Sequence, residues 1–165
     1  MARAPGLRLD SPTSAPSDMY AAILHTHNAL RWLVLVAGIL AVLRTLQGLN
    51  GTTPFAAARR LGLTFTAALH LQVITGLTLF VVSPLIQAAM GDMPGTMKNA
   101  PLRFFIAEHP TLMVVAAIVA TIGGIVAKNA PDDAKRHRKA LAFTVATLAL
   151  IFAGIPWDRP WMPGQ

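Results

Sequence analysis

Residues 61–82 read LGLTFTAALHLQVITGLTLFVV, a stretch with no charged side chain and a single imidazole, His70, near its middle. A helix needs about 20 largely apolar residues to cross roughly 30 Å of hydrocarbon, so this stretch predicts a membrane span. Three further apolar stretches flank it, and helix punctuation places the four spans at about 19–47, 55–82, 102–128 and 133–155. Asp18 is the expected N-cap of the first, with Gly48, Asn50 and Gly51 to stop it. Pro54 can open the second, and Ser83 and Pro84 close it. Asp132 and Asp133 follow Pro131 at the start of the fourth, and Pro156 ends it beside Trp157 and Trp161, interfacial aromatics. These stretches are apolar nearly all round, where a soluble bundle would show a polar face every 3.6 residues. The expected fold is all-α, a four-helix transmembrane bundle in a multi-pass bacterial cytoplasmic membrane protein.

Composition agrees: 54% of the 165 residues are hydrophobic and 13% charged. The absence of cysteine leaves no disulfide framework and no thiolate metal site. The formal net charge of +7 raises the question of nucleic acid, but the cations lie in two loops. Arg44, Arg59 and Arg60 flank the first loop, and Lys128, Lys135, Arg136, Arg138 and Lys139 crowd the third. Short loops rich in Lys and Arg stay cytoplasmic, which places both termini on the outer, periplasmic side and accounts for the charge without nucleic acid. Residues 1–18 form a polar, Pro- and Ser-rich tail without the apolar core of a secretory signal, and 158–165 form a second tail. The connection over 85–100 is long for a bundle, with room for a short interfacial helix, LIQAAM, before a flexible GDMPGTMKN.

Imidazole is costly in hydrocarbon unless something binds it, so histidine within a span marks a candidate site. His27 lies about 13 Å along the first helix from Asp18, and His109 about 12 Å from Pro101. The two should be level, whereas His70 should lie roughly 20 Å from the outer end, although pairing of His70 with either stays open. Haem iron is the expected partner, held by two of His27, His70 and His109, the candidate metal ligands. His25 is two residues from His27, about 200° away on a helix, and cannot face the same cofactor. Arg31 leans back toward the level of His27 and needs an anion: Glu108, a haem propionate or a quinone oxygen, unless it snorkels to the headgroups. Pro110 either kinks a continuous helix at His109 or opens a helix there. The stripe His109, Met113, Ala116, Ala120 and Gly124, with Gly123 beside it, allows close approach of another helix or a flat macrocycle; Met113 reads as core rather than ligand. Gln72, Thr75 and Thr78 read as interhelical glue, and His137, within KRHRK, as a solvated loop residue.

LHTHNALRWLVL at 24–35, LHLQVITGLTLFVVSP at 69–84, MKNAPLRFFIAEHPTLMVVAAIVATIG at 97–123 and RHRKALAFTVATLALIFAGIPWDR at 136–159 together resemble a family of small bacterial four-span membrane proteins often labelled cytochrome b-like. The resemblance implies a site built from His25, His27, Arg31, His70, Glu108 and His109, and a b-type haem that exchanges electrons with a quinone or a partner redox protein. Another reading keeps the spans and makes the chain an accessory subunit of a larger respiratory or photosynthetic complex, its tails docked on neighbours and its histidines binding a quinone, a chlorophyll-type pigment or nothing. No phosphate loop, zinc-protease motif or nucleophile arrangement points to an independent enzyme.

Overall fold

A computed structural model describes residues 15–157, with side chains from Asp18 onward. The tail expected over 158–165, and nearly all of that over 1–18, lie outside the described residues. Seven α-helices follow in order: α1 (Ala15–Leu46), α2 (Phe55–Val82), α3 (Pro84–Gly91), α4 (Met93–Lys98), α5 (Ala100–Arg103), α6 (His109–Lys128) and α7 (Asp133–Gly154). A π-helical turn, Phe104–Glu108, joins α5 to α6. α1 begins before Asp18, which therefore sits in its first turn rather than capping it.

The long helices close into a ring: α1 packs on α2 and α7, and α6 on α7 and α2. Neighbours run antiparallel, so α1 begins and α7 ends at the same end of the bundle, where His27 and His109 also lie. Val34, Leu35, Phe65, Leu69, Met113, Ala116 and Ile151 form the main core, and a smaller cluster of Phe55, Ala58 and Ala127 seals the opposite, basic end. Large apolar side chains cover the outside of all four long helices, among them Leu33 and Val36, Ile74 and Val81, Ile118 and Ile125, and Val145 and Phe152. Such a surface is far larger than water tolerates and suits hydrocarbon. Residues 18–46, 55–82 and 100–128 are long and apolar enough to cross a membrane, as in a multi-pass membrane protein. α7 carries its basic cluster in its first two turns.

Small residues set the helix spacing. A Cβ at Gly123 would fall within the Phe143 side chain, while one at Gly124 would meet nothing within 4 Å. Gly123→Leu is therefore expected to lower stability by about 1–3 kcal/mol through overpacking, with Gly124→Leu close to neutral, read as thermal unfolding midpoints in detergent.

The 92–99 segment is not the flexible loop that its polar composition suggests. Asp92 accepts from the Gly95 N–H at 3.1 Å and caps α4, with Pro94 in the first turn; Asn99 likewise caps α5 through Leu102 N–H. Pro110 neither breaks the chain nor opens a separate helix. The preceding turn widens so that the His109 N–H bonds Phe104 O, five residues back, and this bulge accommodates the proline within one continuous helix.

His137 departs furthest from expectation: it is fully buried. The first turns of α7 pass under the α1–α2 connection, so the imidazole sits beneath Gly48, donates from Nε2 to Thr53 O at 3.1 Å, and meets Phe55 edge-on at 5.2 Å. Nearby, Asp132 caps α7 by accepting from the Lys135 N–H at 2.8 Å. That bond, reinforced by the Lys135 ammonium, holds the carboxyl below the usual carboxylate range. A depressed folded-state pKa stabilises above the unfolded value and ceases to do so as pH falls through the folded value. Asp132→Ala should accordingly lower the unfolding midpoint at neutral pH, and its difference from wild type should vanish in acid.

Candidate functional site

A cavity of about 390 Å³ opens at the histidine end of the bundle, between α1, α2, α6 and the end of α7. Val34, Leu69, Val73, Met113 and Ile151 make its walls apolar, and His27, Asn28, Arg31, Gln72 and His109 reach it as polar groups. Its size lies within the usual range of small-molecule sites, and so does its character, an apolar chamber with a few convergent polar atoms.

His27 presses the nitrogen-bearing edge of its ring against α2, where Gly76 leaves the space: a Cβ there would lie 3.0 Å from Cε1. Its Nδ1 is 3.2 Å from Thr75 Oγ1 and its Nε2 is 3.2 Å from Gln72 Nε2. The Thr75 hydroxyl gives its hydrogen to the carbonyls of Leu71 and Gln72, at 3.1 and 2.9 Å, so towards His27 it can only accept. Nδ1 therefore carries the ring proton and Nε2 accepts from the Gln72 amide. That orientation leaves Gln72 Oε1 buried without a partner among the described residues. Gln72 is itself only 7% exposed.

His109 donates from Nδ1 to Gly154 O at 2.7 Å, which fixes its tautomer and leaves Nε2 as a lone-pair acceptor. No described residue bonds that nitrogen. Phe104 and Phe105, carried on the π-turn, flank the ring with centroids 6.0 and 6.4 Å away. The centroids of His27 and His109 are 6.3 Å apart, with planes at 74°. Among the described residues, Gln72 Oε1 and His109 Nε2 thus have no donor, and both residues line one apolar-walled chamber.

The other residues singled out in the sequence are placed differently. His70 does not join the pair: it is exposed on the α2–α6 seam, with Nδ1 2.7 Å from Thr66 O and Nε2 3.3 Å from Thr121 Oγ1. His25 is exposed at the cavity rim. Glu108 is not the anion for Arg31, because Arg103 holds it at 2.8 Å on the surface. Arg31 borders the cavity with its guanidinium 5.6 Å from the Trp32 ring centre. Met113 is buried against Gly154 as a core residue.

An iron between His27 and His109 would need a nitrogen lone pair from each ring at about 2 Å. The ring separation suits such a pair, but the donor set does not, because α2 takes both nitrogens of His27. Among the described residues no group of three or more His, Cys, Asp or Glu is placed to hold a metal ion. Gln72 is the interhelical glue expected, bonding His27 on α1, but its place beside the chamber was not anticipated. Its signal was position: it shares a face of α2 with Thr75 and Gly76, at three- and four-residue spacing, at the depth of His27. No protein-family model, curated protein or solved structure matches the chain, so the chemistry of the chamber carries the functional reading.

Proposed function

We propose that the protein is a membrane-embedded quinol-binding module of an electron-transport assembly, with four spans, both termini outside, in a bacterial cytoplasmic membrane. One observation carries the reading: an apolar-walled chamber is lined by His109, whose Nε2 has no donor among the described residues, and by Gln72, whose Oε1 lies buried beside it likewise without one. An unsatisfied buried acceptor costs about 1–3 kcal/mol, which a ligand hydroxyl hydrogen recovers. A quinol supplies two such hydrogens on a flat apolar ring, and its isoprenoid tail suits a site open to lipid. A quinone, which has only acceptors, matches these two atoms poorly, so the reduced form is favoured.

Oxidation of a quinol releases two protons and two electrons. His109 Nε2 is placed to receive one proton from the hydroxyl that it holds, the Nδ1–H bond to Gly154 O steadies the imidazolium that forms, and the second proton leaves directly to the water at the outer end of the bundle. The electrons pass to a partner redox protein, so the module acts as a subunit rather than as an enzyme alone. Purification in mild detergent, with chromatography of the organic extract and a reduced-minus-oxidised visible spectrum, tests this. Near-stoichiometric quinol, recovered as quinol or as the quinone formed from it in air, is expected without a haem band; a haem band with neither quinol nor quinone would overturn the reading in favour of b-type haem.

A further inference from the structure

A second cavity, of about 270 Å³, lies in the other half of the bundle, between α2 and α6 and floored by Ala41 and Thr45 of α1 and Ala140 and Phe143 of α7. Its sides combine small residues, Ala58 and Gly62 on α2 and Ala120 and Gly124 on α6, with apolar Leu63, Phe65 and Ile125, and Arg59 and Lys128 also border it. Open space remains beside both glycines: a Cβ added at Gly62 or at Gly124 would meet no atom within 4 Å. Above the slot the helices are tied together by the contact of His70 Nε2 with Thr121 Oγ1 at 3.3 Å, which closes its inner end. From that tie, Thr121 to Lys128 is seven residues and His70 to Arg59 eleven, so the slot runs about 10 to 16 Å to the cations.

The cations are not spent among the described residues. Asp132 and Asp133, the acidic side chains of the α6–α7 connection, are engaged by Lys135 at 3.1 Å and Arg136 at 2.9 Å. Arg59 and Lys128 are exposed and share in no ion pair among the described residues. An apolar slot that ends at two unspent cations has the shape of an amphiphile with an anionic head. A zwitterionic lipid fills the slot but brings its own cation to the mouth, and a soluble anion meets the cations but leaves the slot empty.

We propose that this groove is a binding site for an anionic phospholipid, one acyl chain lying between α2 and α6 and the phosphate held by Arg59 and Lys128. The site is separate from the quinol chamber and does not depend on it. Native mass spectrometry of the full-length protein in detergent, with phosphatidylglycerol, phosphatidylcholine or glycerol 3-phosphate added, provides the test. Wild type should take up phosphatidylglycerol about tenfold more readily than phosphatidylcholine, and glycerol 3-phosphate should not bind. Arg59→Gln with Lys128→Gln should abolish that preference, and Gly124→Leu, which fills the slot while keeping both cations, should lower uptake of both lipids. Equal uptake of the two lipids by wild type, an unchanged preference in the doubly neutralised variant, or binding of glycerol 3-phosphate as tight as that of phosphatidylglycerol would overturn the proposal.

Discussion

Replacing Gln72 by leucine should weaken decylubiquinol binding by about five- to thirtyfold while the protein remains folded. The substitution keeps the side-chain volume close to native and removes Oε1, a buried acceptor that has no partner among the described residues. One hydrogen bond to the ligand is worth about 1–2 kcal/mol, which sets the range. The fold should tolerate the change because two penalties oppose one another: an unsatisfied oxygen disappears, and His27 Nε2 loses its donor. Isothermal titration of the detergent-solubilised protein gives the affinity, and thermal unfolding gives the control. His109→Leu should weaken binding by a similar factor, since it removes the other acceptor. His70→Leu should leave binding unchanged, because His70 faces the α2–α6 seam rather than the chamber. A bis-imidazole iron that used His70 would reverse that last result.

The largest loss of stability is expected at His137. Truncation to alanine empties a fully buried site, breaks the bond to Thr53 O and removes the edge contact with Phe55, for about 2–4 kcal/mol in all. The same pocket can be probed from above. A methyl group at Gly48 would fall within the His137 ring, so Gly48→Ala should also destabilise strongly. This is a matter of space alone, since Gly51 is the glycine of the connection with a positive φ, at 78°. The two changes should not add: His137→Ala makes room for the Gly48→Ala methyl, and the double variant should unfold above the sum of the single losses. Strict additivity in a double-mutant cycle would show that the two sites do not share this space.

Much of the architecture follows from local pattern. The uncharged run over 61–82 gives its own helix, and depth counting along two helices that run the same way puts His27 and His109 level, which is how the rings come to lie 6.3 Å apart. What local pattern did not show depends on neighbours. Pro110 offers two sequence outcomes, a kink or a helix start, and the wide turn before it is a third that arises inside the packed helix. The burial of His137 requires the α1–α2 connection to fold over α7, and five consecutive basic-loop residues, KRHRK, suggest only solvent. α4 was legible in principle, since Asp92 and Pro94 form a helix start, but the polar run between them and Asn99 obscured it. Gln72 is the most instructive case. On one helix it is interhelical glue; only the facing ring of His27, oriented by Thr75, shows that one of its two polar atoms is left over.

The most direct test is the nitrogen resonance of His109 Nε2 in full-length protein labelled with ¹⁵N-histidine and reconstituted in lipid, followed as decylubiquinol is added. A saturable shift from the unprotonated toward the hydrogen-bonded position, with His70 and His137 unmoved, is the result expected of a quinol held in the chamber. An unchanged Nε2 signal at saturating quinol, or one already displaced by a coordinated metal before quinol is added, would contradict it.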